Sequence, residues 1–108
     1  MPGMVNIHAH TPMVLLRAAG EGLPVDRWLR EVMWPREGRL EAEDVRWAMT
    51  LGAGELLSHG ITTSVELYFL GNEVAEAAST AGLRCFVTAP FIDDPQLSRL
   101  GTWEQQVE

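Results

Sequence analysis

Three short β-prone runs divide the chain, and the stretches between them carry helical spacing. Met4, Val5 and Ile7 follow the turn-forming pair Pro2-Gly3 and predict a strand over residues 4–8. "ITTSVELYF", residues 61–69, is β-branched and aromatic and predicts a second strand. "RCFVTAPF", residues 84–91, predicts a third. After the first strand, Pro12 opens a helical stretch through Met13-Val14-Leu15-Leu16, which Gly20 stops. Pro24 opens another, with Trp28, Leu29, Val32 and Met33 as its apolar stripe and Pro35 as its end. The longest helix is expected from about Glu41 to His59, where Val45, Ala48, Met49, Gly52 and Leu56 repeat as a buried face. Gly52 and Gly54 each cost such a helix about 1 kcal/mol relative to alanine, which is tolerable where it lies against a neighbouring backbone. Before the third strand, Asn72 is the expected N-cap of a helix with Glu73 and Glu76 in its first turn. Val74, Ala75 and Ala78 give that helix a small-residue face, and Gly82 ends it.

Strand, helices, strand, helix, strand is the order of parallel βα units, so the expected fold class is α/β. The near-continuous apolar character of the strands agrees with a sheet covered on both faces. Thr102 and Gln105 form a capping-box pattern for a further helix. The pattern thus opens on a strand and stops as a helix begins, which predicts a piece of a longer βα array.

Composition narrows the function class. With 46% apolar and 21% charged residues, the 108-residue chain has ordinary globular character and argues against disorder. Fifteen acidic residues against eight basic ones give a net charge of −7, and no basic cluster interrupts it. Binding to a nucleic-acid backbone is therefore disfavoured. The single cysteine, Cys85, excludes an intrachain disulfide framework and suits a reducing, cytoplasmic compartment. Neither a signal-peptide pattern nor an apolar run of membrane-spanning length is found.

The candidate chemistry lies at the end of the first strand, in His8-Ala9-His10. Residues i and i+2 of a strand share a face, so the two imidazoles are expected on one side, about 7 Å apart at Cα. Such a pair suits a borderline-soft cation such as zinc, and the C-terminal end of a parallel strand is the catalytic mouth of an α/β barrel. Two histidines do not complete a zinc site, and His-x-His also arises on strands that bind nothing. His59 stands in a last helical turn before Gly60 and reads as a helix cap, not a ligand. Glu41, Glu43 and Asp44 read as a solvated first turn. Glu37, in "WPRE", reads as a loop carboxylate beyond a proline-terminated helix, able to fold over a strand end. Glu66, late in the second strand, can reach a barrel mouth or pack inward as a core carboxylate. Cys85 reads as a small buried hydrophobe. Trp28, Trp34, Trp47 and Trp103 read as helix-packing residues, with Trp34 able to line a pocket.

The ordered features "PG", "HAH", "TPM", "LLR", "LP…WL" and "WPRE", with "GITT" leading into strand two, resemble the start of the barrel domain of the amidohydrolase superfamily. The likeness is nearest to its S-adenosylhomocysteine/methylthioadenosine deaminase and triazine chlorohydrolase branch. The resemblance implies that residues 1–108 are the first three βα units of an incomplete, metal-dependent (β/α)8 TIM barrel. A complete barrel takes roughly 250 residues. It also implies zinc, or another divalent metal such as iron, with His8 and His10 as ligands and the remaining ligands outside this chain. Glu37 matches the glutamate that binds ribose hydroxyls, while no catalytic acid or base is assignable within the chain. The implied reaction is hydrolysis of a C–N bond in a cyclic amidine, with a nucleoside, purine or triazine-like small molecule as substrate. Where homocysteine-binding members carry arginine at the end of strand three, this chain has Ala89, which cannot pair with an anionic tail. The branch's "DMYFH" is here "ELYFL", with Glu66 for the aspartate and Leu70 for the histidine.

Two other readings stand beside this one. A non-catalytic remnant or assembly module would keep the packing without the chemistry, and a triazine chlorohydrolase or deaminase would keep the barrel with another substrate. Three βα units alone leave an exposed sheet edge and uncovered apolar faces, so the segment by itself is expected to be catalytically silent and to form homo-oligomers or be marginally stable.

Overall fold

The computed structural model describes residues 1–102, 104 and 105. Strands β1 (Met4–Ala9), β2 (Ile61–Leu67) and β3 (Arg84–Thr88) form one sheet in the order β1-β2-β3, with both pairs parallel. The sheet agrees with the α/β expectation, although β2 and β3 end before residues 69 and 91. Helices Ala42–Ser58 and Gly71–Ala81 make the two crossovers and pack on one face of the sheet. Their Val45, Met49, Ala53, Val74 and Ala78 form the core with Tyr68, Phe69, Leu83 and Leu97. The long helix carries a reciprocal cap between Glu41 and Asp44 at its start. At its end the backbone of His59 closes on Glu55 and Leu56, and its ring Nδ1 lies 2.7 Å from the Glu55 carbonyl oxygen. His59 is thus the helix cap that the sequence suggests.

Several sequence expectations are corrected. The helical stretch after Pro12 is a short 3-10 segment, Thr11–Leu16, and has ended before Gly20. Pro35 does not close the segment that begins at Val25. A wide π-helical stretch, Trp28–Met33, precedes the proline, and the helix continues through Trp34–Glu37. The wider turns accommodate a ring and a missing N–H that would break a regular α-helical ladder. Asn72 is not the N-cap. The helix starts at Gly71, and Leu70 is held at its threshold in a left-handed conformation, φ 53°. Trp47 is 67% exposed and does not pack inward. Of the two helix glycines only Gly52 lies against a neighbour, Thr11, whereas Gly54 faces open space.

At the chain's end, Thr102 N–H donates to Gln105 Oε1 at 2.9 Å and Gln105 N–H reaches back to Thr102 Oγ1 at 3.4 Å. These are the capping-box bonds; Trp103 and residues 106–108, the body of the expected helix, lie outside the described residues. Among the described residues, no helix is long and apolar enough to cross a membrane.

Candidate active site

The C-terminal ends of β1 and β2 bring the candidate residues together. Between Asn6 and Ala9, β1 advances three residues while its partner advances two, from Ser64 to Glu66. This bulge brackets His8, whose N–H donates to Asn6 Oδ1 at 3.2 Å. Bulges re-aim side chains and recur beside functional sites. The rings of His8 and His10 meet edge to face with centroids 4.9 Å apart, so they are neighbours as the i, i+2 spacing suggests.

His10 is further fixed by its neighbour strand. Its Nδ1 lies 2.7 Å from the carbonyl oxygen of Leu67. A carbonyl only accepts, so Nδ1 carries a proton, and in the neutral ring the lone pair is then on Nε2. That is how a metal-binding imidazole is prepared. The two histidines thus fit a divalent cation as part of a ligand set. Among the described residues no group of three His, Cys, Asp or Glu side chains completes one.

Glu37 ends the helix that passes through Pro35, and it is 5% exposed. This corrects the loop reading: the helix delivers the carboxylate inward. It shares a cavity of about 130 Å³ with His10, Trp28, Trp34, Tyr68 and Phe69. Burial pushes its carboxyl above the usual carboxylate range, while the Tyr68 hydroxyl and the His10 imidazole act in the opposite direction. Tyr68 is itself buried, and its hydroxyl is near enough to Glu37 for the two groups to shift each other, although among the described residues it has no hydrogen-bond partner of regular geometry. Burial first, and then the Glu37 charge, raise that phenol far above its ordinary pKa. Tyr68 was missed in the sequence, where its only signal is a polar atom placed just beyond the end of β2. Trp34 lines the cavity as anticipated, and Trp28 joins it while donating its indole N–H to the Ala19 carbonyl at 2.9 Å.

Glu66 packs inward and does not reach the cavity. It is fully buried and accepts from Thr11 N–H (2.8 Å), Thr11 Oγ1 (2.6 Å) and Ser64 Oγ (2.5 Å). Cys85, on β3, behaves as the small hydrophobe expected. Burial, then the nearby Glu66 charge, pushes its thiol up to about 11, which leaves it a poor nucleophile at neutral pH. Ala89 lines a second cavity, about 380 Å³, at the end of β3 with Leu70, Asn72, Val87 and Pro90.

Comparison with known proteins matches residues 1–108 to the amidohydrolase family. The chain belongs to that family. It is 43% identical over 93 residues to a 5'-deoxyadenosine deaminase of Methanopyrus kandleri, covering 86% of this chain and 22% of that protein. It is 39% identical over 105 residues to a 5-methylthioadenosine/S-adenosylhomocysteine deaminase of Carboxydothermus hydrogenoformans, covering 96% of this chain and 24% of the other. A crystal structure of an adenosine deaminase from Xanthomonas campestris with bound zinc superposes with a TM-score of 0.75 at 38% identity. That match covers 79% of this chain and 20% of that one. This amidohydrolase chain therefore spans about a fifth to a quarter of the length of these relatives.

Proposed function

We propose that residues 1–108 form the first three βα units of a (β/α)8 barrel, and that the protein containing them is a zinc-dependent deaminase of adenosine-type nucleosides. The observation that carries the reading is the meeting of His10, with Nε2 left free by its bond to Leu67, and the buried Glu37 in one cavity. The deaminase names of the relatives and the zinc in the Xanthomonas campestris structure support the same chemistry.

His8 and His10 would hold the cation, with further ligands from parts of the barrel beyond these residues. A bound divalent cation supplies Lewis-acid chemistry, easing loss of a proton from water that attacks the amidine carbon while ammonia leaves. The chain's own residues bind and orient. Glu37 would accept hydrogens from two ribose hydroxyls, a selective grip for a sugar. Trp28 and Trp34 would give the sugar an apolar wall and exclude water. A cavity of about 130 Å³ is smaller than the roughly 300–1,000 Å³ of whole ligand pockets, so it suits one ring of the substrate. Among the described residues, no basic side chain lines the cavity at Ala89. That supports a substrate with a neutral 5' end over one with a homocysteine carboxylate.

The test is ammonia release by the full-length protein with 5'-deoxyadenosine, methylthioadenosine, S-adenosylhomocysteine, free adenine and a chlorotriazine. Turnover of the two neutral nucleosides, abolished by His8→Ala, is expected. Turnover of the triazine alone, or release of ammonia indifferent to His8→Ala, overturns the reading.

A further inference from the structure

His10 needs support that β1 itself does not give. Its backbone has φ −130° and ψ 60°, outside the regular strand region, and the register with β2 has already slipped between Asn6 and Ala9. The ladder of β1 and β2 therefore does not aim the imidazole. Two consecutive residues of β2 do hold the two consecutive residues that follow β1. The Leu67 carbonyl accepts from His10 Nδ1, and the Glu66 carboxylate accepts from both the N–H and the hydroxyl of Thr11.

Glu66 is an expensive residue to keep in this place. It is 0% exposed and, among the described residues, has no ion pair with a basic side chain. A buried carboxylate without a cation persists only when hydrogen bonds replace its water. Here the donors are Thr11, twice, and Ser64 of its own strand. Thr11 is seated from the other side as well, because its methyl group fills the space that Gly52 leaves on the long helix. Thr11 is thus caught between a carboxylate and a glycine notch, immediately after the histidine.

We propose that Glu66 is a positioning residue for His10. It fixes Thr11, which sets the turn at His10 so that Nδ1 meets Leu67 and Nε2 faces the site. The inference rests on the reading of His10 as a metal ligand, but its first readout does not need a metal. In metal-free full-length protein labelled with 15N-histidine, at a pH where the imidazole is neutral, His10 should carry its proton on Nδ1. In Glu66→Gln, whose amide must turn an N–H toward one of three donors, and in Thr11→Val, which keeps the volume beside Gly52, that preference should be lost. Thr11→Ser, which restores the hydroxyl, should recover it. Zinc affinity, measured by chelator competition, should fall about 10- to 100-fold in Glu66→Gln and Thr11→Val and stay near wild type in Thr11→Ser, as for other residues that orient ligands. If Glu66→Gln does not fold, Thr11→Val decides. An unchanged Nδ1–H form in both variants overturns the inference. Wild-type protein that binds no zinc overturns the metal-site reading instead, and the proton position still decides the role of Glu66.

Discussion

His10 donates from Nδ1 to the main-chain oxygen of Leu67 across 2.7 Å, joining the residue that follows β1 to the last residue of β2. The bond sets one nitrogen aside for structure and leaves the other for a ligand. The edge-to-face contact with His8 keeps the second imidazole within reach of the same point.

Removing either ring should therefore remove metal from the full-length protein. His8→Ala and His10→Ala are expected to weaken zinc binding by more than the roughly 100-fold typical of outer-sphere changes, read as metal content after dialysis against a chelator. His10→Ala should also lower the melting temperature, because it leaves the Leu67 carbonyl without its imidazole donor. Zinc retained at one equivalent by the double variant would show that the cation sits elsewhere.

Glu37 should make stability depend on pH in the direction opposite to an ordinary paired carboxylate. Burial raises its folded-state pKa, so between the unfolded and folded values the native state holds the extra proton. Stability then falls as pH rises through that window, and the penalty is complete above the folded pKa. Glu37→Gln should consequently be more stable than wild type at neutral pH and lose that advantage below the unfolded-state pKa. Glutamine keeps one acceptor oxygen, so the loss of one charge-assisted hydrogen bond, about 1.5–3 kcal/mol, should raise KM for ribosyl substrates by roughly one to two orders of magnitude. Thermal unfolding from mildly acidic to neutral pH, set beside the KM values, checks both halves.

The two glycines of the long helix should respond to alanine with opposite signs. At Gly54 nothing lies near a new Cβ, so Gly54→Ala should stabilise by about 0.5–1 kcal/mol through backbone entropy and helix propensity. At Gly52 a Cβ would meet the Thr11 side chain and its carbonyl oxygen. Gly52→Ala should cost about 1–3 kcal/mol in overpacking and displace the residue beside His10. Paired melting curves distinguish the sites, and equal shifts would contradict the close approach.

These contrasts mark how far the sequence could be read. The strands, the long helix and the His59 cap follow from local patterns of β-branched, apolar and glycine residues, which act over a few positions. The placement of Glu37 does not, because a proline normally ends a helix and only the π-helical stretch at Trp28–Met33 carries the chain past it. His8 and His10 were legible as a pair, while the bulge beneath them depends on pairing with a strand more than fifty residues later. The contact of Tyr68 with the same cavity, and the hold of Glu66 on Thr11, are likewise properties of the assembled sheet.

The sheet itself supplies the last prediction. β1 and β3 are the outer strands of the three, and the side chains of Val5 and Ile7 on β1 are 60% and 79% exposed. On β3, Phe86 is 59% exposed on the face opposite Cys85 and Val87, which pack against the core. Burying each such side chain is worth about 1.5–3 kcal/mol, and three together approach the whole stability of a small domain, about 5–15 kcal/mol. In the proposed barrel, later strands and helices cover these residues. The isolated 108-residue chain has only other copies of itself to cover them, and its open edges offer unpaired backbone groups for that association. Sedimentation of the isolated chain should give oligomers or aggregate, and Ile7→Lys should shift it toward monomer with no gain in melting temperature. A monodisperse wild-type monomer with a sharp unfolding transition would mean that these three strands and their helices are self-sufficient, and the argument for a barrel from exposed apolar surface would fail.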